Sequence, residues 1–585
     1  MKPLLSFFRR YALQYWHWYV SGIVFLLATN WITVQIPLEL AAGVDALGAD
    51  GDPQRLQRSV KLIASMGVSI LVVRTLSRIL FFTPGRLIEY RLKNDLFQRL
   101  LELQPAFHAQ WKTGDIVSRV SNDVSLLRVL VGFGILQIFN VTAALAMAGR
   151  EMLRISPALT AMTLVPIAVA MLIVQVGLRR LFIMSRRSQE ALADLSQHVL
   201  SSLQGVPIIQ GFNAEEAFGE RFLVHNKAYL DANMELAWVR ALHMPLLPLA
   251  GGLSLAGLVG FGGSMAASNV ITVGELVAFT TYVGILLMPL RSLGWLLAVF
   301  QRGIMGLERI YSLLNAQPDR PEGAHGHKRN RTSAPEIQLR NLTFAYPDQP
   351  KDPVLSDINA DIPSGSTVGL FGRTGSGKST LLKLISRAYN PPPNTISVDG
   401  WEILELDLDD WRSQTSVVPQ QPFLFSESIE HNISMGTADA ERLQETLKGA
   451  ALETDLEALP NGTNTLVGER GIMLSGGQRQ RVALARGLYR EFDLLLLDDV
   501  LSAVDHHTEK QLIDTLVQTG RGQEKDSRPT MLLVSHRVSA MRHADNILVL
   551  DEGRLVDQGT HDELTRRPGP YQEAWQQQSG EAAIP

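Results

Sequence analysis

The chain has 585 residues, 46% of them hydrophobic and 19% charged, too long for one ordinary domain and too apolar for a disordered one. A net charge of -4 gives no overall pull toward nucleic acid, so none is expected as a partner. The absence of cysteine excludes disulfides, thiolate metal centres and cysteine nucleophiles, and suits a soluble part held in a reducing compartment.

Lys2, Arg9 and Arg10 precede an apolar stretch with no small-residue cleavage site at signal-peptide distance, which reads as a retained anchor. From Trp18 to Leu38 no charge interrupts roughly 20 residues, enough for a helix to cross about 30 Å of hydrocarbon. A second span is expected around Leu62 to Phe82; its Arg74 and Arg78 must face protein or snorkel. Further spans occupy Val129 to Gly149 and Ile155 to Leu178. Ala241 to Leu276 is divided by a tight turn at Ser264 to Gly274, with Glu275 beyond it, and the sixth span runs on through Met288 toward Phe300. Arg86, Arg91, Lys93 and Arg99 follow span two, and Arg179, Arg180, Arg186 and Arg187 follow span four. Basic flanks stay inside, so both chain ends are expected in the cytoplasm, with Asp45, Asp50 and Asp52 outside. The long polar connections carry helical periodicity and should extend the spans beyond the bilayer. Arg150 and Glu151, at the outer end of span three, suggest a mutual pair, a water-filled cavity, a partner contact or snorkelling. His243, Met244, Trp295 and Phe300 suit either an apolar ligand or ordinary packing.

The six-span domain is placed at residues 1–316 and a linker at 317–335, where Pro318, Pro321, Gly323, Gly326, the basic run Lys328 to Arg331 and Pro335 accumulate. His325 and His327 in that stretch read as solvated, and no metal is expected there. Residues 336–585 read as α/β, with short apolar runs at Ser366 to Phe371, Ser416 to Val418, Leu494 to Leu497, Met531 to Val534 and Asn546 to Leu550.

Within that region Gly372, Arg373, Thr374, Gly375, Ser376, Gly377, Lys378 and Ser379 follow a strand-like run and precede the helical Thr380 to Ser386, the context a phosphate-binding loop requires. The glycines let backbone N–H groups wrap phosphate oxygens, Lys378 neutralises the β and γ phosphates, and the Ser379 hydroxyl suits Mg²⁺. Asp498, at the end of the Leu494 to Leu497 run, brings a carboxylate to the same ion. Binding of ATP or GTP with Mg²⁺ follows.

Leu474, Ser475, Gly476, Gly477 and Gln478, 20 residues before Asp498, resemble the signature of ATP-binding cassette (ABC) proteins, and the order of spans, linker and cassette resembles their exporter half-transporters. The resemblance implies an α-helical membrane domain of six transmembrane helices (type I exporter, or type IV ABC, fold) followed by an α/β P-loop nucleotide-binding domain, with ATP and Mg²⁺ as cofactors. It implies Tyr346 as the adenine-stacking aromatic, with Thr380 at the end of the phosphate loop. Gln420 becomes the residue reaching Mg²⁺ and the attacking water, and His536 the switch histidine at the γ-phosphate. Glu469-Arg470-Gly471 matches the exporter-specific loop, and Ser502-Ala503-Val504-Asp505 the loop crossing the dimer interface. Lys112 to Asp115 and Gly211 to Glu215 resemble the two coupling segments, the second entering the opposite subunit's cassette. Such cassettes pair head to tail, each ATP lying between one subunit's phosphate loop and the other's Ser475 and Gly477.

Asp499 stands where the family usually places its catalytic glutamate. The pattern resembles the aspartate-containing degenerate-site subunit of bacterial heterodimeric multidrug exporters, whose partner is a second half-transporter with the glutamate. The implied protein is an integral inner-membrane ATPase exporting amphipathic or hydrophobic compounds. A homodimeric lipid or lipid-linked flippase and a siderophore-type importer on the same scaffold are the alternatives.

Overall fold

A computed structural model describes residues 2–47, 52–316, 326–331, 333–436, 438–468, 474–501, 506–521 and 528–581. The chain divides into two units, Met1–Leu100 with Gly114–Ala316, and Leu101–Thr113 with Gln317–Pro585.

The first unit is all helical. Among the described residues five helices are long and apolar enough to cross a membrane, and a further apolar stretch, Val273–Leu287, opens the helix Val273–Leu314. The spans project well past a bilayer, as the periodic polar connections predict: Pro53–Glu102 has 50 residues and Pro157–Gln204 has 48, about 75 and 72 Å of helix. Pro157–Gln204 packs along Glu215–His243 and Leu246–Gly257, whereas Val273–Leu314 packs on Trp16–Asp45 and Ile135–Ile155. Helices whose apolar sides match the lipid gain little from apolar contact, so polar ties matter between them. Asn30 Nδ2 donates to Asn140 Oδ1 at 3.1 Å, Gln137 Nε2 to Ser292 Oγ at 2.7 Å, and Tyr282 OH to Val34 O at 2.9 Å.

Glu275, the charge that interrupts the apolar run, closes a capping box. Thr272 Oγ1 accepts from Glu275 N at 3.0 Å, and Glu275 Oε2 accepts from Thr272 N at 2.8 Å. Asp45, at the end of the first span, accepts from Thr272 Oγ1 and Gly274 N at 2.8 Å each. Gly274 has to be glycine: a Cβ there would stand 2.2 Å from Ala41 O. Arg74 and Arg78 lie on the exposed side of their helix, not against the rest of this unit. Glu151 is buried and pairs with Arg154 at 3.0 Å, not with the adjacent Arg150. Trp295 meets Phe133 edge-on at 5.1 Å yet is exposed, as is Met244, and Gly177 makes a notch for the His243 ring.

In the second unit, β1 (Ile337–Phe344), β2 (Leu355–Ile362), β4 (Ile396–Val398) and β5 (Trp401–Glu402) form an antiparallel sheet of order β2-β1-β4-β5. A six-stranded sheet takes β3 (Thr367–Phe371), β6 (Thr415–Val418), β7 (Leu494–Asp498), β8 (Thr530–Val534), β9 (Asn546–Asp551) and β10 (Arg554–Gly559) in the order β10-β9-β3-β8-β7-β6. Its strands run parallel except β10. β7 and β8 are buried throughout, which is why they read as unbroken leucine-rich runs rather than alternating ones. The short helix Pro105–Gln110 lies just before the segment Lys112 to Asp115, and Gln104 Nε2 donates to Asn390 Oδ1 at 3.1 Å within this unit. In the other unit, the short helix Val206–Gly211 leads to Phe212, 82% exposed, and a left-handed Asn213.

The basic run does not behave as free linker. Arg329 is buried, donating to Asp399 Oδ2 at 2.6 Å, Gln414 Oε1 at 2.8 Å and Asp493 Oδ2 at 3.1 Å. His327 stacks on Trp401 with ring centroids 4.0 Å apart, and His325 lies outside the described residues.

Candidate nucleotide-binding site

β3 ends at Phe371, the chain turns through Gly372 to Gly377, and the helix Lys378–Ile385 begins at once. The loop therefore lies over a helix N-terminus, whose free N–H groups and dipole favour anions. Gly377 has a φ of 94°, and a Cβ there would approach Leu355 Cδ2 to 2.5 Å, so a larger residue is barred twice over. Lys378 Nζ donates to Gly372 O and Arg373 O at 2.7 Å each and to Ser376 Oγ at 3.2 Å. Burial lowers the pKa of Lys378, against the pull of Asp499 and Asp498. Its charge is thus held at the loop by weak neutral acceptors, ready for a stronger anion.

Ser379 Oγ donates to Asp498 Oδ1 at 2.9 Å. Burial pushes the Asp498 carboxyl up; the Ser379 hydrogen bond opposes the shift and Asp499 adds to it. A hydroxyl and a carboxylate side by side are hard oxygen donors, the set Mg²⁺ takes beside phosphate oxygens, so these residues fit that ion.

Asp499 follows β7 in the left-handed region, φ 49°, which aspartate tolerates better than most residues, and its N–H donates to Val534 O at 3.1 Å. Gln420 Nε2 lies 3.4 Å from Asp499 Oδ2, and His536 Nδ1 lies 3.2 Å from Oδ1. Gln420 and His536, singled out from separate stretches of sequence, therefore converge on the Asp499 carboxylate, and all three line one cleft. The cleft, of about 190 Å³, is lined by Gly372, Thr374, Gly375, Gly377, Lys378, Ser379, Thr380, Gln420, Asp498, Asp499 and His536, together with Val354 and Val534. Tyr346 OH hydrogen-bonds with Thr380 Oγ1 at 3.0 Å, and its ring meets Tyr389 edge-on at 5.1 Å, which ties the aromatic residue to the phosphate helix.

Leu474, Ser475, Gly476, Gly477 and Gln478 do not line this cleft. Ser475 caps the helix Gly476–Tyr489: its Oγ accepts from Gln478 N at 3.2 Å, and Gln478 Oε1 accepts from Ser475 N at 2.9 Å. Gln478 Nε2 donates to Asp455 Oδ1 at 3.0 Å, and Arg479 NH1 donates to Leu474 O at 2.8 Å. The capping hydroxyl accepts here, so its own O–H is available to donate outward. Glu469-Arg470-Gly471 and Ser502-Ala503-Val504-Asp505 lie outside the described residues.

Sequence reading missed the supports of the site. Arg486 donates to Phe423 O at 2.9 Å and to Asn432 O at 2.7 Å, while Asn432 exchanges hydrogen bonds with the Phe425 backbone at 2.8 and 2.9 Å. These hold the loop after Gln420, and nothing in their spacing announces it. Gln578 reaches the His536 backbone from 42 residues away, a separation no local pattern reveals.

Residues 19–290 match the family described as the ABC transporter transmembrane region, and residues 355–502 the family described as ABC transporter. The chain is 32% identical over 99% of its length to the probable multidrug resistance ABC transporter ATP-binding/permease protein YheI of Bacillus subtilis (strain 168), covering 97% of that protein. It is 30% identical over 98% of its length to the multidrug resistance-like ATP-binding protein MdlA of Escherichia coli (strain K12), of which 96% is covered. It is also 30% identical to the ATP-dependent lipid A-core flippase of Methylococcus capsulatus (strain ATCC 33009 / NCIMB 11132 / Bath), over 100% of this chain and 97% of that one. A solved structure of a bacterial Atm1-family ABC exporter with ATP bound superposes with a TM-score of 0.80 at 26% identity, covering 97% of this chain and 99% of the other. A P-loop cleft, a separate capped signature helix, six apolar helical stretches and these full-length similarities agree: the chain belongs to the ATP-binding cassette transporters, as an ATP-hydrolysing half-transporter of exporter type.

Proposed function

We propose that this chain is the degenerate-site subunit of a heterodimeric exporter that moves amphipathic or hydrophobic compounds out of the cytoplasm or the inner leaflet. The observation that carries the reading is Asp499, held by Gln420 and His536 in the place of a longer glutamate, beside an unbroken Leu474 to Gln478 signature. Residues 1–316 form the membrane domain, 317–335 the connection and 336–585 the ATPase domain. The chain lies in the inner membrane with its N-terminus and cassette in the cytoplasm.

In this reading Tyr346 orients adenine, and Gly372, Arg373, Thr374, Gly375, Ser376, Gly377 and Thr380 wrap the phosphates with backbone and side-chain donors. Lys378 leaves its three loop acceptors for the β and γ oxygens. Mg²⁺, when bound, neutralises phosphate charge, and Ser379, Asp498 and Gln420 would hold it. Asp499 stands in the base's position, and its shorter reach keeps it from acting as an effective one. Ser475, Gly476 and Gly477 serve the partner's ATP, presenting a hydroxyl and a helix N-terminus to its γ-phosphate. The exposed Phe212 suits burial in the partner's cassette, which would carry the ATP-driven motion to the spans.

The test is to solubilise the tagged full-length chain gently from its native membrane and identify what copurifies. The complex is then assayed in inverted vesicles with an amphipathic dye and with labelled lipid. The reading requires an unlike half-transporter in equal amount and ATP-dependent dye uptake abolished by Lys378→Ala. A self-pair alone would overturn the heterodimer. Lipid movement without dye movement would favour the flippase reading, which the similarity to the lipid A-core flippase supports.

A further inference from the structure

Beyond the phosphate loop and signature, the residue that bears the switch histidine is itself held by the far end of the chain. Gln578 lies on the helix Pro570–Glu581. Its Nε2 donates to His536 O at 2.9 Å, and its Oε1 accepts from Val538 N at 2.9 Å. The amide therefore spans the turn around Arg537 with a donor and an acceptor each matched to a backbone group. A flipped amide would oppose like to like at both ends, so only one orientation works. The turn is fixed on its other sides as well: Arg537 N donates to Ser535 Oγ at 3.0 Å, and Glu509 takes both the Arg537 guanidinium and Ser539 Oγ, the latter at 2.8 Å.

The same helix also touches the phosphate loop's strand. Tyr571 meets Phe371, the last residue of β3, edge-on at 4.9 Å, and its OH hydrogen-bonds with His561 Nδ1 at 2.8 Å. One helix thus references the position of the histidine turn to the strand from which the phosphate loop springs. His536 Nδ1 sits 3.2 Å from Asp499 Oδ1, where a displacement of about 1 Å is enough to break the contact.

We propose that Gln578 is a positioning residue for ATP hydrolysis: its side-chain amide clamps the His536 to Val538 backbone and sets the aim of the imidazole at the phosphate end of the cleft. The C-terminal helix is then part of the hydrolytic apparatus without touching nucleotide. This rests on His536 serving that end of the cleft, as the family resemblance implies.

On the Asp499→Glu background, in which this chain's own site should turn over, the full-length chain alone is compared with and without His536→Ala, Gln578→Met and Gln578→Glu. ATP turnover, KM for ATP and the pH profile are measured, with thermal unfolding as the fold control. Gln578→Met keeps the length and removes both hydrogen bonds, so kcat should fall about three- to tenfold while KM stays within about twofold. Gln578→Glu keeps the acceptor for Val538 N but turns a carboxylate toward His536 O. Its kcat, relative to the Asp499→Glu parent at each pH, should rise as the pH falls from 8 toward 5.5, because the protonated acid regains a donor. A merely structural contact has no reason to show that rescue. An effect of His536→Ala with unchanged kcat in Gln578→Met, or with no relative recovery in Gln578→Glu, overturns the clamp. A silent His536→Ala overturns the reading of the histidine on which the clamp depends.

Discussion

An aspartate is shorter than a glutamate by one carbon, roughly 1.5 Å, and misplacing a catalytic group by about 1 Å can cost on the order of a hundredfold. Gln420 Nε2 lies 3.4 Å from one Asp499 oxygen and His536 Nδ1 3.2 Å from the other. Asp498 behaves differently. Its carboxyl is raised in the folded protein by burial, so the ionised form costs stability above the unfolded pKa, and that cost disappears as the pH falls through the folded value. Asp498→Asn should therefore raise the unfolding temperature of the nucleotide-free protein at pH 7, by about 2 °C for each kcal/mol relieved in a chain of this size. The same variant should lose most of the stabilisation that Mg-ATP gives the wild type, and a thermal scan with and without Mg-ATP checks both. The residue types at this site were legible because phosphate chemistry demands glycines, lysine and carboxylate at fixed spacing. Arg486, Asn432 and Gln578 were not, because their work is to hold backbone, which any loop of suitable shape permits.

At the scale of elements, the apolar runs announced the spans because lipid imposes a length as well as a composition. Glu275 interrupted the last run for a reason the apolar pattern did not show: it caps the helix Val273–Leu314. Asp45 ties that cap to the end of the first span, so Asp45→Ala removes two charge-assisted hydrogen bonds. It should cost about 1–3 kcal/mol, read as a lowered unfolding temperature in detergent, with Asp45→Asn closer to wild type. The five parallel strands were visible as buried apolar runs. The antiparallel sheet was not, because β4 and β5 have only 3 and 2 residues, and register breaks interrupt the β1–β2 pairing. The basic run from Lys328 to Arg331 looked like linker by composition, yet Arg329 sits among Asp399, Gln414 and Asp493. Arg329→Met would leave those carboxylates without their buried cation and should destabilise the ATPase domain by about 3 kcal/mol or more, measurable by denaturant titration.

For the whole molecule, the separation of the signature from the cleft fits the proposed head-to-tail pair, in which each chain supplies half of two ATP sites. An intact signature helix beside a shortened base then favours a division of labour: this chain completes its partner's site while its own turns over slowly. Family membership was legible from the signature and phosphate loop together, since each demands a chemistry the other completes. Substrate was not, because the lipid-facing and ligand-facing apolar residues of the spans share one composition.

The most direct test of the asymmetry is the steady-state ATP turnover of the purified full-length chain alone, as wild type, Asp499→Asn and Asp499→Glu, in the same lipid nanodiscs. The account predicts slow turnover that Asp499→Asn changes by less than about twofold and that Asp499→Glu raises about tenfold or more. Brisk wild-type turnover abolished by Asp499→Asn would contradict it, for the aspartate would then be a competent base in a self-paired enzyme.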